Sequence, residues 1–354
     1  MSASSDSIEL YADDPEWADI EPVRQYENPN PLAPIFYTEE YRDATDYFRG
    51  VVKKGDMSPR VLDLTEKIIR LNPAHYSAWQ YRYKVLLALK SPLDLELRLM
   101  DELAVKFLKT YQVWHHRRLL ISHPQLSSSK SSSFYLTAEL RFIAKCLVVD
   151  SKNYHTWSYR QWLLSNFFSG GERGKEEEEV WKKEMEWIEQ MIEEDVRNNS
   201  VWHHRFFVVF QSGIRVGDED REVVRRREID FAKDKISLAP SNPSAWNYLR
   251  GVLDNNNLPY SDLSIFVRPY AQARSPDAEA DEVIDLENPS PSKGAQLPCV
   301  PAIEFLADVY ESGKSRDDIE KAAQLWKSLA NEYDTIRKKY WEYRIKEALE
   351  VLPA

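Results

Sequence analysis

The 354-residue chain carries 47 Lys and Arg against 58 Asp and Glu, a formal net charge of −11, and only 10 Gly beside 11 Trp and 19 Tyr. Hairpins and phosphate-cradling loops need residues at positive φ, so this scarcity of glycine argues against a sandwich, a barrel, a Rossmann domain or a P-loop enzyme. The acidic balance argues against a dedicated nucleic-acid binder, which needs clustered Lys and Arg.

Residues 1–33 are acidic and Pro-containing, and are predicted to be flexible or draped over the surface. The opening MSASSDSIELYADDPEW lacks the apolar run of a signal peptide. Residues 34–268 form a repeat array. Ser58-Pro59 reads as a helix start, followed by Val61, Leu64, Ile68 and Leu71 at helical spacing, and Asn72-Pro73 ends that helix. A second helix is predicted from near Ala74 to Ser91-Pro92, carrying Trp79, Tyr83 and Leu86. The unit is therefore an antiparallel helical hairpin.

Tryptophan marks the copies: HYSAWQYRYKVL at Trp79, TYQVWHHRRLL at Trp114, NYHTWSYRQWLL at Trp157, NNSVWHHRFFVV at Trp202 and NPSAWNYLRGVL at Trp246. They lie 35, 43, 45 and 44 residues apart, and a degenerate sixth copy surrounds Trp341. Such hairpins bury their apolar faces by stacking, which predicts an all-α superhelix, a solenoid with a concave surface. Arg recurs three residues after Trp at 82, 117, 160, 205 and 344. One helix face then holds both, the Trp filling the seam between hairpins and the Arg satisfying carbonyls or carboxylates of the neighbour. Ser127–Ser133 is a low-complexity loop. Residues 269–300, with five Pro and one aromatic, read as a long loop or insertion, and 301–354 return to amphipathic helices.

Cys146 and Cys299 alone exclude a disulfide scaffold and a Cys-rich zinc site, and fit a reducing compartment. No apolar run reaches membrane-spanning length, and LPA at the end is not a lipidation signal, so a cytoplasmic protein is expected. His115-His116 and His203-His204 occupy adjacent helical positions about 100° apart, which does not suit joint ligation of one metal. His75 and His123 read as caps or packed polar residues, and no bound cofactor is expected on this chain.

The blocks DSKNYHTWSYRQW (150–162), EDVRNNSVWHHRFF (194–207), SAWNYLRG (244–251) and DTIRKKYWEYR (334–344) resemble the α subunits shared by protein farnesyltransferase and type I protein geranylgeranyltransferase. That resemblance covers about residues 35–265 and 300–345. It implies a right-handed crescent of hairpins wrapped around a β subunit, an obligate partner that carries catalytic Zn2+, with Mg2+ also expected in the complete enzyme. It implies transfer of farnesyl or geranylgeranyl from its diphosphate to the Cys of a C-terminal C-a-a-X motif on proteins such as small GTPases.

By the same resemblance Lys152 matches the lysine that stabilises the departing diphosphate, and Tyr154, Arg160, Asn198 and Trp202 match positions whose change impairs the enzyme. Independently, a cation stands five residues before Trp only in the three central copies, as Lys109, Lys152 and Arg197. Tyr154 is taken with Lys152 as catalytic. Asn153, His155, Tyr111, Gln112 and Asn198 are candidates for diphosphate or peptide contact, with helix capping as the alternative for Asn153. Trp79, Trp114, Trp157, Arg160, Trp202 and Trp246 are assigned to the repeat seam. Two other readings compete. A tetratricopeptide-like scaffold would repeat every 34 residues or so, against the observed spacing. The α subunit of Rab geranylgeranyltransferase is the other, although no His precedes His75 to match its N-terminal ligand.

Overall fold

The computed structural model describes residues 10–25, 32–33, 35–127, 132–167, 175–211, 220–274 and 285–350. The low-complexity loop and most of the first 33 residues' flanks thus lie largely outside the described residues. The chain divides into two compact units, Met1–Phe167 and Phe168–Ala354. That division falls inside the expected 34–268 array and not at either end of it.

The first unit contains α1 (Glu39–Lys54), α2 (Arg60–Leu71), α3 (Tyr76–Ala88), α4 (Leu93–Lys106), α5 (Tyr111–Ser122), the short α6 (Pro124–Ser127), α7 (Ser132–Val149) and α8 (Tyr154–Phe167). The second contains α9 (Lys175–Glu194), α10 (Asn199–Phe206), α11 (Arg221–Leu238), α12 (Pro243–Asn255), the short α13 (Ser264–Val267), α14 (Val300–Gly313), α15 (Arg316–Ser328) and α16 (Lys338–Glu350). No strand occurs among the described residues. The expected hairpins are present as α2/α3, α4/α5, α7/α8, α9/α10 and α11/α12.

One turn design recurs at every hairpin. The indole N–H of Trp donates to the carbonyl six residues earlier: Trp79 to Pro73, Trp114 to Leu108, Trp157 to Ser151, Trp202 to Val196 and Trp246 to Pro240, all at 2.8–2.9 Å. In four of the five hairpins a side chain caps the second helix from four residues before Trp; Thr110, at that place before α5, makes no side-chain cap bond. His75 Nδ1 accepts from Ala78 N, and the Asn153, Asn198 and Asn242 carbonyls accept from Thr156, Ser200 and Ser244 N. Each such cap stabilises a helix start by about 1 kcal/mol. His75 is thus a cap, as the sequence suggested, and so is Asn153. The second helix of the first hairpin starts at Tyr76, two residues after the predicted start, because Asn72 and His75 hold the intervening turn.

Between hairpins the repeat arginines meet buried carboxylates. Arg82 clamps Glu96 through two bonds of 2.8 Å, and His116 binds the same carboxylate at 2.9 Å. Arg117 clamps Glu139 at 2.7 and 2.6 Å, joined by the Tyr159 hydroxyl at 2.6 Å. In the second unit Arg205 clamps Glu228 at 2.7 and 3.2 Å, joined by the Tyr248 hydroxyl at 2.6 Å. All of these side chains are buried. A guanidinium–carboxylate fork with a third donor satisfies charges that burial would otherwise heavily penalise. Arg160 is also buried, and its Nη1 donates to the Leu140 carbonyl at 3.1 Å. Around Trp341 the design is altered: its indole donates to the Asp334 carboxylate at 3.0 Å, and Arg344 binds Asp308 and Glu311.

Part of the N-terminal segment, expected to be flexible or draped over the surface, packs against α1 and α2. Trp17 and Ile20 are buried; the Arg60 guanidinium lies over the Trp17 ring and forks onto Asp19 at 2.8 and 2.9 Å. Arg49 Nε donates to the Val23 carbonyl at 2.7 Å. The approach to α1 is so close that a Cβ on Gly50 would stand 2.4 Å from the Glu21 carbonyl oxygen. Two apolar anchors and a basic socket hold this acidic stretch to the surface, the draped alternative of the expectation. The end of the 269–300 segment is fastened too: Lys233 donates to the Glu287 carbonyl, Tyr270 to that of Pro289, and Arg274 to those of Pro291, Ser292 and Lys293.

Candidate functional site

The turn before α8 presents Lys152. Its own N–H is held by the Asp150 carboxylate at 3.3 Å, and the preceding carbonyl, of Ser151, is held by the Trp157 indole at 2.9 Å. The ammonium-bearing residue is exposed, on a backbone fixed from both sides. Asn153 is buried. Its carbonyl binds both the N–H and the hydroxyl of Thr156 at 3.0 Å, while its amide reaches Asp150 at 3.4 Å. Its polar atoms are therefore engaged in the turn. Lys109, the equivalent cation one hairpin earlier, lies 3.7 Å from Asp150.

Directly after this turn, Tyr154 and His155 enter the wall of a cleft of about 420 Å3. Tyr111, Gln112, Trp114, His115, Arg118 and Ser158 complete it. The Tyr111 and His155 rings meet edge-to-face with centroids 4.2 Å apart, and Tyr154 meets His155 at 5.7 Å. Tyr111 and Tyr154 are 68% and 70% exposed, so their rings form a rim. Burial lowers the His155 pKa, which favours the neutral imidazole. Four of the predicted residues, Tyr111, Gln112, Tyr154 and His155, thus share one cleft, while Lys152 stands on the turn that leads into it. Asn198 belongs to the second unit, is buried, and caps α10.

The five seam tryptophans are all buried, as is Arg160. No cluster of three or more His, Cys, Asp or Glu among the described residues could hold a metal ion. His116 and His204 are each turned onto a buried glutamate, at 2.9 and 2.7 Å, which accounts for one member of each His pair. Both cysteines are buried, and burial raises their thiol pKa to about 11. No helix among the described residues is long and apolar enough to cross a membrane.

The model of the protein prenyltransferase alpha subunit repeat matches residues 58–89, 93–124, 136–167, 181–212 and 225–256, the five hairpins described above. The chain is 30% identical to the protein farnesyltransferase/geranylgeranyltransferase type-1 subunit alpha of Dictyostelium discoideum, over 97% of this chain and 95% of that one. The chain belongs to this family of α subunits. The Schizosaccharomyces pombe member is 36% identical, over 93% of this chain and 92% of its own length. Among solved structures, the Candida albicans protein geranylgeranyltransferase-I complexed with GGPP matches with a TM-score of 0.74 and 29% identity, covering 93% of this chain and 97% of that one.

Within that frame, three groups of residues had escaped the sequence reading. The buried carboxylates Glu96, Glu139, Glu184 and Glu228 each lie 20 residues before the His or Tyr that binds them. That constant offset is a readable repeat signal. Trp17 and Ile20 anchor the N-terminal segment. Arg118, in the cleft, carries no repeat signature, since the residue after the repeat arginine differs in the other hairpins.

Proposed function

We propose that the chain is the α half of a cytoplasmic heterodimeric protein prenyltransferase, which moves a farnesyl or geranylgeranyl group from its diphosphate to the Cys of a C-terminal C-a-a-X motif. The end-to-end likeness to type-1 α subunits carries this reading. Bond formation joins the cysteine sulfur to C1 of the isoprenoid as the C1–O bond breaks, and the diphosphate leaves with the electron pair. Negative charge therefore grows on the leaving group, where a positioned ammonium is worth more in the transition state than in the ground state. Lys152 supplies it. Asp150, Asn153 and Trp157 hold its turn, and Tyr154 stands beside it. Tyr111, Gln112 and His155 on the cleft rim are assigned to the peptide. Asn153 and Asn198 act here as caps that shape their turns.

The zinc implied by the family, and the magnesium expected with it, belong to the partner's side of the enzyme. Zinc there would lower the pKa of the substrate thiol. The described residues of this chain do not fit a metal, so no step of its own runs through one. Isoprenoid choice and substrate proteins, small GTPases among them, are assigned to the β subunit's pocket.

The test is to purify the chain alone and together with a prenyltransferase β subunit. Transfer of labelled isoprenoid to a C-a-a-X peptide is expected only from the pair. Transfer by the single polypeptide overturns the heterodimer reading.

A further inference from the structure

The cleft beside the Lys152 turn contains one charge that the fold leaves unanswered. Arg118 is half-buried, its Nε is buried without a hydrogen-bond partner, and its Nη2 reaches only the Ser158 hydroxyl, at 3.3 Å. The guanidinium lies 5.3 Å from the Trp162 ring centroid. No carboxylate among the described residues pairs with it, and burial lowers its pKa. Its neighbour Arg117 is the contrast, forked onto Glu139 and also bonded to Asp101. A partly desolvated cation is costly unless an anion answers it, so this side chain fits a site whose anion arrives from outside the chain.

We propose that Arg118 is the socket for an acidic side chain of the partner subunit, seated on the floor of this cleft below the Tyr111 and Tyr154 rim. The inference rests on the α-subunit reading above. A second cleft of about 600 Å3, lined in part by Tyr76, Trp79, Tyr83 and Lys84, shares Gln112 and His115 with the first. The two therefore run side by side across α3, α5 and α8. Lys84 is exposed there and likewise pairs with no carboxylate among the described residues. Tyr76, Tyr111 and Tyr154 stand at the same repeat register, between 68% and 72% exposed. A peptide terminus offers one carboxylate and would answer one cation. Two cations in adjoining clefts, Arg118 and Lys84, fit a folded partner that can present more than one carboxylate, with the exposed Tyr76 ring as an aromatic anchor. Charge complementarity points the same way: in a chain of net charge −11, Arg118 and Lys84 lie on this face with no carboxylate among the described residues paired to them.

The experiment uses the co-expressed heterodimer with Arg118→Ala, Arg118→Glu and Arg118→Lys. Subunit dissociation is followed by exchange against labelled α chain, and peptide KM is measured on the assembled enzyme. Loss of a charge-assisted contact predicts dissociation roughly 10- to 100-fold faster for Arg118→Ala. Arg118→Glu should dissociate faster still, Arg118→Lys should recover most of the loss, and peptide KM should stay at the parent value. A misfolded variant is recognised by failure of the lysine rescue together with a lowered melting temperature of the complex; in that case Lys84→Glu, on an exposed residue, must accelerate dissociation or the proposal falls. Dissociation within twofold of the parent for both Arg118→Ala and Arg118→Glu overturns the proposal. So does a raised peptide KM at unchanged dissociation, which would place the carboxylate on the substrate. If the parent chain forms no complex with a β subunit, it is the α-subunit reading that fails instead.

Discussion

The turns before α8 and α10, one in each unit, share a frame and differ in what they present. Asp150 and Asp195 each hold the N–H two residues on, at 3.3 and 3.0 Å. Trp157 and Trp202 each bind the carbonyl six residues back, and Asn153 and Asn198 cap the helix that follows. On that common backbone one turn offers Lys152, Tyr154 and His155, and the other Arg197, Asn199 and Ser200. The inward residues are thus interchangeable between repeats, whereas the outward ones are free to carry chemistry. A repeat array can place a reactive side chain by altering two or three positions without touching the frame.

If the frame is common, breaking it should hurt both units alike. Arg117→Ala and Arg205→Ala each leave a buried glutamate without its fork, and each is expected to cost about 3–5 kcal/mol of stability. Chemical denaturation followed by circular dichroism reads the effect; a large loss at one site and none at the other would break the equivalence. The outward positions should separate the turns. In the assembled enzyme Lys152→Ala is expected to slow turnover roughly tenfold to a few hundredfold with its melting temperature unchanged. Arg197→Ala is expected to change turnover by less than about threefold. Equal losses would mean that both cations serve the leaving group.

The smallest effect is set by pH. Burial opposes charge on Glu96, but hydrogen bonds from His116 and Arg82 overcome it and hold its pKa at about 2, against an ordinary 4.5. A carboxylate depressed in the folded state lends stability that is complete above its unfolded pKa and fades as pH falls toward 2. About 1 kcal/mol should be gone by pH 4. Glu96→Gln should flatten that slope in denaturation curves taken between pH 6 and pH 3.

Much of this frame could be read in advance. Trp79, Trp114, Trp157, Trp202 and Trp246 are large, rare and regularly spaced, so their period survives in the chain as text. Glu96 and Glu228 did not stand out, because each lies in a first helix crowded with other charges, as in LDLELRLMDELAVK around Glu96. Only their shared offset from the His or Tyr distinguishes them. The packing of Trp17 and Ile20 was hidden for a different reason: an acidic stretch reads as solvated until its basic socket, made by residues 40 positions further on such as Arg60, is brought alongside. Within the candidate site, Lys152, Tyr154 and His155 were legible from one contiguous block. Arg118 was not, since what marks it is the lack of a carboxylate in three dimensions.

Gly50 carries a warning for anyone who would engineer this subunit. A glycine inside an exposed-looking amphipathic helix is the first position a stabilisation campaign would change to alanine, for an expected gain of about 1 kcal/mol in helix propensity. Here the added methyl would meet the Glu21 carbonyl oxygen at 2.4 Å and the Ile20 side chain at 2.8 Å. The helix would improve and the segment anchored by Trp17 would be pushed off it. A rule written for one helix gives the wrong sign when a second piece of backbone is the ligand of that helix.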